Sequence, residues 1–127
     1  MGREILFRGK RKSDGKWIFG NLLQTDDDGT YIIQNHVPHH FLKNFEVDPE
    51  SICQYTGLTD KNGRKIFEGD VILFEKKKYF VVWFDRIASF VAKPFEDGRC
   101  WPCMNVGTMN VAEIISNIFD NPELLNQ

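Results

Sequence analysis

No apolar run in this chain approaches the roughly 18 residues that a membrane-spanning helix needs, and the opening MGREILFRGK mixes in too much charge for a signal-peptide core. Neither a membrane span nor a secretory leader is expected, and the cytoplasm is the default location. The Met1-Gly2 start lacks the Ser or Thr that N-myristoylation wants at position six, where Leu6 stands. Neither a phosphate-binding Gly-Lys-Ser/Thr loop nor a dinucleotide fingerprint is present, and the order of residues assigns no Ser-His-Asp arrangement. Enzyme is therefore the weakest class, with no catalytic residue, cofactor or metal expected. Helical periodicity is also missing until near the C-terminus, which turns attention to strands.

Strand punctuation is abundant. Asp14-Gly15, Asp28-Gly29, Asn62-Gly63 and Asp97-Gly98 are hairpin pairs whose residues tolerate the positive φ angles of type I′ turns. Their flanks are β-branched and aromatic: Trp17–Phe19, Tyr31–Ile33, Val71–Phe74, Tyr79–Phe84 and Ser89–Phe95. Val106–Phe119 is compatible with a short amphipathic helix or a strand, and strand is the reading adopted for Ala112–Phe119. Asn121 as a cap, Pro122, Glu123 and the apolar pair Leu124-Leu125 then predict one terminal helical turn. DGKWIFGNLL, from Asp14, echoes NGRKIFEGDVI, from Asn62, with Glu68 as the single insertion. Duplication and shared hairpin chemistry both account for such an echo. A length of 127 residues holds one domain or two very small β units.

Three segments together resemble the YopX family of bacteriophage and prophage proteins: REILFRGKRKSDGKWIFGNLL at the start, VDPESICQYTGLTDKNGRKIFEGDVI in the middle and AEIISNIFDNPELL at the end. They lie in family order and span nearly the whole chain. The resemblance implies a mainly β fold with an SH3-like small barrel; residues 1–127 read as a single domain of this kind, with 1–50 as an N-terminal β sub-unit and 51–127 as the barrel. It also implies a phage or prophage protein that assembles into a homo-oligomer; the residues themselves add the expectation of an accessory protein in the cytoplasm of the bacterial host that contacts itself or a host protein. It implies no established activity. The segment from Cys100 to Cys103 falls outside the shared pattern.

Several groups of residues invite chemistry, and each has a plainer explanation. Glu68 and Asp70 could point to one face of a strand as a carboxylate pair, but no third ligand follows from the spacing. Gly69 and Asp70 read better as a turn launching a strand. Cys100 and Cys103 could form a redox pair or, with Cys53, His36, His39 or His40, a zinc site. Met104–Thr108 is a poor helix start for the redox reading, and reduced surface thiols are the simpler expectation. The histidines likewise read as a solvated loop.

Charge is uneven, since residues 1–16 carry six Lys or Arg against Glu4 and Asp14 on a chain of net charge −2. Arg8, Lys10, Arg11 and Lys12, with Lys76, Lys77 and Lys78 beside Tyr79 and Trp83, are the candidate contacts to nucleic acid or to a partner protein. Lysines also blunt strand edges and solubilise hairpin turns. Six consecutive apolar residues, Tyr79–Phe84, exceed what a strand with one wet face needs, which favours a protein contact over nucleic acid.

Overall fold

The computed structural model describes residues 3–26, 29–34, 37–95 and 106–123. At the Asp-Gly and Asn-Gly turns within this range the glycine alone adopts the left-handed conformation, Gly15 at φ 73° and Gly63 at φ 79°. Asp14 and Asn62 do not, so these are not the type I′ turns that the dipeptides suggest. The Gly63 N–H donates to Asp60 O (3.0 Å) and the Asp60 N–H to Arg64 O (2.9 Å), the pattern of a three-residue loop closed by a left-handed glycine. Around Gly15 the loop is one residue longer, with the Gly15 N–H donating to Arg11 O (2.7 Å) and the Arg11 N–H to Lys16 O (2.9 Å). The type I′ signature appears instead at Glu75-Lys76, φ 50° and 69°, where two non-glycine residues close the tightest hairpin.

The chain forms two compact units, residues 1–55 and 56–127. In the first, strands β1 (Phe7–Lys10), β2 (Trp17–Gln24), β3 (Thr30–Ile33) and β4 (Cys53–Thr59, which runs on into the second unit) lie in the antiparallel order β3-β2-β1-β4. Gly9 is needed because a Cβ there would sit 3.1 Å from the Val47 Cβ and 3.2 Å from Ile52, both of which pack onto β1. Residues 46–48 bind across the strand ends: the Val47 N–H donates to Thr30 O, and the Asp48 N–H to Lys10 O (both 2.9 Å). Ile32, Val47 and Cys53 are fully buried here.

In the second unit β5 (Lys65–Phe67) lies beside β4, and β6 (Asp70–Phe74), β7 (Lys77–Phe84), β8 (Ser89–Pro94) and β9 (Glu113–Asn117) make an antiparallel sheet in the order β8-β7-β6-β9. The short helix α1 (Val106–Met109) precedes β9. Ile72, Tyr79, Val81, Ala92, Met109 and Ile114 form its core. Side chains alternate across a strand, so this inward set leaves Phe80, Val82 and Phe84 on the opposite face.

The expectation of a mainly β protein is met, as is the strand reading near the C-terminus. The echoed stretches diverge after their apolar pairs: β2 continues through Gly20, whereas Glu68-Gly69 turns the chain with Gly69 at φ 87°. No helix among the described residues is long and apolar enough to cross a membrane. Asp28, the Asp97-Gly98 pair and Leu124-Leu125 lie outside the described residues.

Candidate functional site

The densest motif of the sequence, QYTGLTDKNGRKIFEGDVI, turns out to be fastened by its own carboxylates. Asp60 is 2% exposed. Its Oδ1 accepts from the N–H groups of Asn62 and Arg64 (both 2.9 Å), and its Oδ2 from the N–H of Ile114 (3.0 Å). Burial pushes this carboxyl up, but the donors from Ile114, Arg64 and Asn62, with the charge of Arg64, outweigh it and hold the group below the ordinary carboxylate range. Asp70, equally buried, accepts from the Phe67 N–H (2.8 Å). Gly69 donates to Val81 O (2.8 Å) and accepts from the Ile118 N–H (2.9 Å), tying β7 and β9 to the entrance of β6. Both carboxylates are thus committed to backbone donors. The sequence signal for Asp60 was its place just before Lys61-Asn62-Gly63, where Asp side chains commonly cap turns.

The cations of the first unit are similarly engaged. Arg8 is 7% exposed with its guanidinium 4.5 Å from the Trp17 ring centre, and the Lys10 Nζ lies 5.3 Å from the same ring. Arg11 grips Asp14 through two nitrogens (3.1 and 2.5 Å), which, with the Lys16 N–H, lowers the Asp14 carboxyl to about 2. Lys12 reaches Glu46 (3.3 Å).

The second unit differs. Lys76, Lys77 and Lys78 are exposed at the tip of the β6–β7 hairpin, and among the described residues they have no acidic partner. Tyr79, named beside them as a contact, is 8% exposed and belongs to the core. The period of two placed Tyr79 and Phe80 on different faces without saying which faced inward. It is Phe80 that shares the face of Lys78, with Lys93 directly opposite on β8, its Nζ 5.8 Å from the ring, and Phe95 at 5.1 Å between centroids. Phe80, Phe95 and Lys93 were not singled out in the sequence, because strand pairing alone brings them together.

Trp83 stands at the far end of β7, 46% exposed, edge-on to Phe90 at 5.1 Å. The adjoining 3-10 turn, Asp85–Ile87, exposes Arg86 and Ile87 and closes through Ala88 at φ 51°, a conformation seldom taken by a side-chain-bearing residue.

Cys53 is buried, its thiol donating to Ser51 O (3.3 Å), and the His40 ring lies against Phe41 (4.2 Å). His36, Cys100 and Cys103 lie outside the described residues. Among those described, no three His, Cys, Asp or Glu side chains gather where they could share an ion. A cleft of about 350 Å³ in the first unit is lined by Ile18, Phe19, Ile32, Gln34, Val37 and Phe45, none of them an acid, base or nucleophile.

The crystal structure of protein EF1440 from Enterococcus faecalis is similar in fold, with a TM-score of 0.58 and 21% sequence identity over 96% of this chain and 98% of that one. No curated protein matches. The family model described as YopX protein matches residues 6–126, nearly the full length, taking in the middle and closing segments that carried the resemblance and all but the first three residues of the opening one, so the chain belongs to the YopX family.

Proposed function

We propose that this protein is a non-enzymatic accessory module that works by binding protein, either further copies of itself or a host protein, through the Trp83 end of the β7–β8 hairpin. The observation that carries the reading is the exposure of Trp83 (46%), edge-on to Phe90, together with that of Arg86 and Ile87 (50%) on the adjoining turn. Trp and Arg are the side chains most enriched at energetic centres of protein interfaces, and an indole left half in water on an ordered strand gains most from being covered. The commitment of Asp60 and Asp70 to backbone donors supports a role other than catalysis. In this reading the protein is a phage or prophage product, as the family resemblance implies, acting in the cytoplasm of a bacterial host.

Light scattering at tens of micromolar, roughly, tests the self-association arm. The expected result is a mass above one chain that falls on Trp83→Ser substitution. Capture from nuclease-treated host lysate tests the other arm, with loss of the captured protein on the same substitution expected. A monomer that captures the same proteins with or without Trp83 would overturn the proposal.

A further inference from the structure

The second unit carries a different surface on the outward face of β7 and β8. The pairing Phe80↔Lys93 sets a lysine beside a half-buried aromatic ring, Lys78 flanks the same ring two residues back along β7, and Phe95 lies against it from the end of β8. Lys76 and Lys77 extend the positive charge to the hairpin tip. The nearby Glu113, opposite Leu73, is held by Lys61 at 3.5 Å, so it does little to neutralise the face. Lys78 and Lys93 therefore share one sheet surface, with Lys76 and Lys77 at the adjoining hairpin tip, on a chain whose net charge is −2, whereas Arg8, Lys10, Arg11 and Lys12 are already engaged by Trp17, Asp14 and Glu46.

The hairpin that presents this charge is itself unusual. Glu75 and Lys76 both hold positive φ, where Asn-Gly would be at ease. Left-handed backbone in residues with side chains is characteristic of functional positions. Charge complementarity calls for a polyanion, and two contacting aromatic rings among the lysines call for one that offers flat apolar surface between its charges. Single-stranded nucleic acid has both, while a duplex keeps its base faces stacked inside and an acidic peptide has no regular array of rings.

We propose that the face formed by Lys78, Phe80, Lys93 and Phe95, with Lys76 and Lys77 at its edge, binds single-stranded nucleic acid, the lysines meeting phosphates and the rings meeting unpaired bases. This goes beyond the protein-binding role and uses residues other than Trp83.

Fluorescence anisotropy with a labelled single-stranded oligonucleotide of about 20 nucleotides, its duplex, and polyglutamate as competitor tests the proposal at low and moderate salt. Binding should favour the single strand and weaken steeply with salt. Substituting both Lys78→Gln and Lys93→Gln should flatten the logarithmic salt slope by roughly two, and Phe95→Leu should weaken binding by about tenfold with that slope unchanged. Circular dichroism confirms that each variant is folded. Absence of binding at low salt, binding unaltered by these substitutions, or equal affinity for the single strand, duplex and polyglutamate would each overturn it.

Discussion

Replacing Asp60 by Ala removes one carboxylate and strands three backbone donors. Ile114 is the costly one, because its N–H is buried and loses a charge-assisted bond, worth about 2 kcal/mol. The N–H groups of Asn62 and Arg64 lie in an exposed turn and find water, so each contributes about 0.5–1 kcal/mol. The expected loss is about 3–4 kcal/mol, a large part of the roughly 5–15 kcal/mol that holds a typical domain together. Asp60→Asn should cost about half as much: its amide oxygen keeps the two turn bonds, while its NH2 faces the Ile114 N–H, donor against donor.

Urea unfolding followed by far-UV circular dichroism gives both values. The pH dependence has a definite sign. The Asp60 carboxyl is held below its ordinary value in the folded protein, so its contribution is complete above the unfolded-state value of about 3.9 and is lost as pH falls through the folded one. The gap between the wild-type protein and Asp60→Asn should stay constant from pH 7 to 5 and narrow below about pH 4. An Ala variant within about 1 kcal/mol of wild type, or no worse than the Asn variant, would refute the reasoning.

Two other perturbations test the backbone. Introducing Glu75→Asn with Lys76→Gly should stabilise the protein by about 1–2 kcal/mol, since both positions hold left-handed φ; thermal unfolding should show a midpoint several degrees higher. Gly20→Ala should destabilise by about 2 kcal/mol or more, because its Cβ would overlap the Ile33 carbonyl on the neighbouring strand; a chemical-denaturation midpoint unchanged from wild type would contradict that packing.

Local chemistry was legible in the sequence where one residue type has one use. Gly15 and Gly63 close turns because few other residues hold their φ, and β-branched and aromatic runs did become β3, β6, β7 and β8. Partnerships across the chain were not legible. Nothing near Asp60 announces Ile114, 54 residues away, and nothing near Lys78 announces Lys93. Glu75-Lys76 escaped because it forms the tightest turn without the Asn or Gly that usually marks one. The basic N-terminus stood beside Lys76–Lys78 as a candidate contact because sequence shows a charge but not the Trp17, Asp14 or Glu46 that engages it.

The bond between Asp60 and Ile114 also sets an order of events. β6, β7 and β8 join neighbours through short hairpins, so their pairing is local and quick, whereas β9 must return across more than half of the second unit to reach β6 and the Asp60 carboxylate. During synthesis, which proceeds at about 5–20 residues per second, the first unit and strands β5 to β8 of the second are complete before Ile114 emerges. For those few seconds β6 has an open edge and Asp60 has only its two turn donors. The nascent chain is then most open to pairing with a neighbour, and the arrival of β9 ends that interval by covering the edge and locking the turn in one step.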